Sequence, residues 1–129
     1  MKNSYYIVGL LPVKIIDLPG GGLRLLQMNW KTGVFERGDK FGARATSSYA
    51  GDVDCVSEDE FIQHVESLRA KNLRPQGPLD PLYALIRGVE EAAQKERRAL
   101  TPEENAWLAE VKRRTYALFQ AEHPDPEIR

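Results

Sequence analysis

The apolar residues of this chain change period near Val56, and one kind of secondary structure cannot serve both patterns. Before that point apolar residues run together or alternate among glycines, and eight of the ten glycines lie in residues 1–56. Beyond it they recur every three or four positions behind residues that cap helices. Strands followed by helices predict an α+β fold. The expected architecture is a small, mostly antiparallel sheet over about residues 5–56 and one packed helix over about 58–71. An antiparallel helical hairpin over about 81–97 and 102–121 follows. A length of 129 residues suits a single domain, with 72–80 as linker to the hairpin 81–121 and 122–129 as a frayed tail.

In the first part, Tyr5 to Leu11 is β-branched and aromatic with both faces apolar, so it reads as a central strand. Pro12 has no N–H to give a ladder, which predicts a bend, bulge or edge there, with Val13–Ile16 continuing the strand. The glycines at 20–22 give a connection with easy access to positive φ. Leu23 to Trp30 forms the next strand; Leu25 and Leu26 break its alternation, so a bulge or a strand buried on both faces is expected. Lys31-Thr32-Gly33 turns the chain into Val34–Arg37, and Asp52–Val56 is a last, weak strand.

Three helix starts are legible. Ser57 with Glu60 makes a capping box, flanked by the staple pair Val56 and Phe61, and the buried stripe runs Phe61, Val65, Leu68. Asp80-Pro81 opens the second helix as cap and first-turn proline. Its stripe is Leu82, Leu85, Ile86, Val89, Ala92 and Ala93. Thr101-Pro102-Glu103-Glu104 repeats the logic for the third, with Trp107, Leu108, Val111, Leu118 and Phe119 expected inside.

Several chemistries find no support. A zinc site needs three or four converging ligands, whereas this chain has one cysteine, Cys55, and two histidines, His64 and His123, without paired spacing. Cys55 precedes a helix start, but Asp52, Asp54, Glu58 and Asp59 disfavour a thiolate, and strand alternation makes it a small core residue. The triple glycine leads to no phosphate-binding motif, and no nucleophile elbow occurs. Neither a cofactor nor a metal is expected. Arg97-Arg98 and Lys112-Arg113-Arg114 are interleaved with glutamates, and the chain carries a net charge of −1, so a solvated helix surface outranks a nucleic-acid patch. The longest apolar run, Tyr5–Val13, is half a membrane span, and no membrane association is expected. A lone cysteine points to the reducing cytoplasm.

These exclusions favour a small, non-enzymatic binding protein that regulates, inhibits or adapts another macromolecule. An inhibitor, an immunity-type protein or an assembly adaptor all suit. The alternatives are an enzyme using scattered carboxylates and a nucleic-acid-binding module. The expected partner surface lies within residues 30–49, where Trp30, Phe41 and Tyr49 interleave with Arg37 and Arg44. Aromatics and arginine give large contact area for few rotors frozen. Four basic residues against two acidic ones there predict an acidic surface on a protein partner. The competing reading pairs Trp30 with Phe35 across the hairpin and sends both into the core. The long stripes from Leu82 to Phe119 leave open a homodimer through the helical hairpin.

Overall fold

The computed structural model describes residues 3–38 and 53–126. Five strands lie among them: β1 (Asn3–Val8), β2 (Leu11–Asp17), β3 (Leu23–Met28), β4 (Phe35–Arg37) and β5 (Val53–Val56). Three helices follow, α1 (Glu58–Asn72), α2 (Leu79–Lys95) and α3 (Pro102–Glu122). The fold is α+β, as the change of period requires. The chain divides into two compact units, Met1–Phe61 with Pro124–Arg129, and Ile62–His123.

The first unit is built on an antiparallel sheet in the order β4-β3-β2-β1-β5. The expected single strand from Tyr5 onward is in fact a hairpin: Val8 pairs with Leu11, and Gly9-Leu10 make a two-residue turn. Gly9 has φ +65°, the left-handed conformation that such a turn asks of its first central residue. The apolar run hid the turn, because Leu10 is 67% exposed and contributes nothing to the core. Pro12 needs no bulge. It sits opposite Ile7, and the β2–β3 ladder reaches only to Val13, so the missing N–H vacates no rung. The Leu25-Leu26 step is equally regular, with Ile15 opposite Leu25 and Lys14 opposite Leu26.

Neighbouring positions are apolar because both faces of this sheet are packed. One face gathers Val8 and Val13 with Tyr6, Leu11, Ile15, Leu25 and Val53. The other holds Ile7, Ile16, Leu26, Met28 and Phe35, against which the first turn of α1 sets Phe61. The Phe61 ring lies 5.7 Å from that of Phe35 and 5.0 Å from that of Tyr5. Burying such a ring contributes on the order of 2–3 kcal/mol. Lys14 stands in the middle of this face, 4% exposed. Its ammonium is 2.8 Å from Asp125 and 4.2 Å from the Phe35 ring centre. The residues after α3 therefore do not fray at Asp125, which is tied to the sheet. The strand expected over 52–56 is β5, an edge strand on which Cys55 is exposed, not in the core; Asp52 lies outside the described residues.

The second unit is helical, taking in α1 from Ile62 onward. At the head of α1, still in the first unit, Ser57 accepts from the Glu60 N–H at 3.1 Å. Thr101 and Glu104 form the reciprocal box predicted for α3, with bonds of 3.1 Å and 2.9 Å and Pro102 in the first turn. Asp80 does not cap α2. The helix begins at Leu79 behind Pro78, so Asp80 supplies first-turn negative charge instead. The buried stripes are also rotated from expectation. In α2 the inner residues are Leu79, Tyr83, Ile86 and Ala93, while Leu85 is 50% exposed. In α3 they are Leu108, Lys112, Thr115 and Phe119, while Trp107 and Leu118 are 41% and 39% exposed. The reason is a buried polar network. Arg69 donates to Glu66 and to Gln120, both at 2.8 Å, and Tyr83 donates to Glu66 at 2.9 Å. Polar residues occupy the seam, and counting hydrophobic residues alone sets each helix at the wrong rotation.

Candidate functional site: a groove beside Trp30

The β3–β4 connection is pinned by its own first residue. Asn29 Oδ1 accepts the Lys31 and Thr32 N–H groups at 2.8 Å and 3.2 Å, an arrangement that mimics a backbone turn. Gly33, at φ +74°, donates to the Asn29 carbonyl at 2.7 Å, and the Asn29 N–H reaches the Val34 carbonyl at 2.9 Å. Asn29 Nδ2 donates to Glu36 Oε1 at 3.0 Å, tying the turn to the strand that leaves it. One asparagine thus fixes the geometry of the whole hairpin end.

Beside this end opens a groove of about 390 Å³, lined by Leu11, Gln27, Met28, Asn29, Trp30, Lys31 and Glu36. Trp30 is 43% exposed, whereas Phe35 is 1% exposed. The two aromatics of the hairpin have opposite fates because Phe35 pairs with Met28 within the ladder and Trp30 lies beyond it. The competing reading, with both in the core, is corrected for Trp30. The groove carries both charges, Lys31 and Glu36. The Gln27 side-chain oxygen nearby is buried without a hydrogen-bond partner among the described residues. A large amphipathic ring beside donors and acceptors on a stiff turn is suited to holding a polypeptide surface.

Of the five residues expected at a partner surface, Trp30 alone lines this groove. Arg37 is exposed in β4, on the opposite face from Glu36. Phe41, Arg44 and Tyr49 lie outside the described residues. Sequence reasoning places Lys31 in the turn and Glu36 in the returning strand and counts both toward the charge of residues 30–49, but names neither as a contact residue. The signal for both was the Asn-x-x-x-Gly spacing from Asn29 to Gly33, which closes the hairpin and sets its flanking side chains together.

Other chemistry-bearing groups are occupied by one another. A second cavity, about 260 Å³, lies between α1 and α2, with Ser67, Lys71, Arg87 and Glu90 in its wall. There Glu90 accepts from Ser67 at 2.9 Å and from Lys112 at 3.1 Å, and Arg87 caps the carbonyls of Ala70 and Leu73. One carboxyl, Glu66, is buried between the helices. Burial raises it above the ordinary range, although Arg69 and hydrogen bonds from Thr115 and Tyr83 pull the other way. It is fully sealed, so it has no route to a substrate. No three His, Cys, Asp or Glu side chains converge on a metal position among the described residues. No described helix is long and apolar enough to cross a membrane. Comparison with family models, curated proteins and solved structures returned no match.

Proposed function

We propose that this chain is a small non-enzymatic binding protein that regulates, inhibits or adapts another macromolecule, and that it grips a protein partner at the Trp30 end of the β3–β4 hairpin. The observation that carries the reading is the exposed Trp30 ring on a turn already ordered by Asn29. A large ring carried on a backbone turn ordered before binding loses little main-chain entropy on contact, and tryptophan is among the residues that dominate interface energies. Lys31 lies beside it on the same turn and Arg37 adds exposed positive charge in β4, so an acidic patch on the partner is the match expected. A lone, exposed thiol at Cys55 suits a reducing compartment such as the cytoplasm.

The test is affinity capture from native extract with tagged wild-type protein, followed by binding measurements on the recovered partner. Trp30→Ala is expected to lose about 2 kcal/mol or more, roughly thirtyfold in affinity, and Arg37→Ala about 1 kcal/mol. Both variants should keep the wild-type circular dichroism spectrum. A partner bound equally well by both variants rejects the surface. An affinity that falls steeply and log-linearly with salt identifies a nucleic acid in place of a protein.

A further inference from the structure

A different surface carries a second, independent inference. On α2, Leu85, Gly88 and Ala92 follow one another at helical spacing and are exposed. On α3, Trp107, Val111 and Leu118 follow one another at helical spacing, Trp107 and Leu118 exposed and Val111 half-buried between them. Both rows lie away from α1, whose bonds go to Tyr83, Arg87 and Glu90 on α2, and to Ala109 and Gln120 on α3. Gly88 is the unexpected member. A glycine inside a helix is destabilising relative to alanine, and a methyl group at this position would meet nothing within 4 Å. The helical unit itself gives no steric reason for a glycine there.

We propose that this face seats a second copy of the chain, the two α2–α3 hairpins closing into an antiparallel four-helix bundle. Heights along the hairpin carry the argument. At 1.5 Å per residue, Gly88 lies about 10 Å from the connected end and Trp107 about 8 Å. A twofold axis parallel to the helices sets α2 of one protomer antiparallel to α3 of its partner without changing heights. The Trp107 ring of one protomer then comes to the level of the bare Gly88 backbone of the other, a large side chain against an absent one. Leu118 and Leu82, about 24 Å and 20 Å along, meet near the far end. Helices of 17 and 21 residues spaced about 10 Å apart present a face of roughly 25 Å by 20 Å. Two such faces bury on the order of 1,000 Å², the threshold for a specific interface. The rim carries both signs, Glu110 and Arg114, so a copy meets no wall of like charge.

Sedimentation of the full chain over about 1–100 µM tests this. A mass rising from monomer to dimer is expected. Trp107→Glu and Gly88→Leu, both at exposed positions, should each weaken dimerisation at least tenfold with an unchanged circular dichroism spectrum. Gly88→Ala should raise the unfolding midpoint of the dilute monomer. A monomeric mass throughout the range overturns the proposal, as does a dimer that survives both disruptive substitutions undiminished.

Discussion

Glu66 and Arg69 are both fully buried, and the two are not equivalent when one is removed. In Glu66→Leu, the Arg69 guanidinium stays inside with Gln120 at 2.8 Å and the Phe119 ring at 3.8 Å, but without a counter-charge. Guanidinium does not give up its proton, so the full penalty of an unpaired buried charge applies, about 3–5 kcal/mol. The Tyr83 hydroxyl loses its acceptor as well, adding roughly 1–3 kcal/mol. A unit of this size has a total stability of roughly 3–9 kcal/mol, so this variant should have a mostly unfolded helical unit at 25 °C. In Arg69→Leu, by contrast, Glu66 can take up a proton and remain bonded to Tyr83. The expected cost is smaller, about 1–3 kcal/mol. Glu66→Leu with Arg69→Met removes both charges and should fall within about 2 kcal/mol of wild type. Urea unfolding followed by circular dichroism at 222 nm reads all three. An Arg69→Leu cost equal to that of Glu66→Leu, or a double variant as costly as the sum of the singles, would refute the reasoning. The pH dependence adds a sign. Burial raises the native Glu66 carboxyl above its unfolded value. The native state therefore binds the extra proton, and this contribution is full below the unfolded value and lost as pH rises through the native one. Glu66→Gln should flatten that slope.

Three further outcomes follow from other contacts. Asp125→Asn leaves the Lys14 ammonium, 4% exposed, without its carboxylate and should cost about 1–3 kcal/mol in thermal unfolding; no change would mean the terminal segment is not held there. Thr101→Ala removes the acceptor for the Glu104 N–H and should cost about 1 kcal/mol, with amide exchange accelerating over the first turn of α3 and not elsewhere. Arg98 and the Thr101 N–H hold the Glu104 carboxyl at about 2, so carbon-detected NMR should show it titrating near that value in wild type and returning toward 4.5 in Arg98→Ala. The sign is that of a lowered carboxyl: its stabilisation is present above the unfolded value and disappears as pH falls toward the native one.

The fold class was legible because local chemistry and global pattern agree at the helix starts. Thr101, Pro102 and Glu104 specify α3 wherever it packs, and Ser57 with Glu60 does the same for α1. Two features escaped for the same physical reason: hydrophobicity is not burial. Leu10 looked like strand interior and is a turn residue, so one strand was read where two stand. Tyr83, Lys112 and Thr115 looked like surface and are buried around a polar network, so two helices were rotated in the reading. Partners of Glu66 lie on α1, α2 and α3, Arg69 alone among them being local in sequence, and nothing in a linear pattern announces Tyr83 or Thr115. At the candidate site, Trp30 was legible as an anchor type. Its exposure was not, since that depends on where the β3–β4 ladder stops.

Photo-crosslinking in living cells tests the central claim most directly. A benzophenone side chain in place of Trp30, and separately in place of Leu10, another exposed apolar residue of the same unit, reports what each surface touches. The account predicts one discrete protein adduct from position 30, lost on competition with excess wild-type chain and absent from position 10. A site at position 30 that yields no adduct, or the same adducts as position 10, would contradict it.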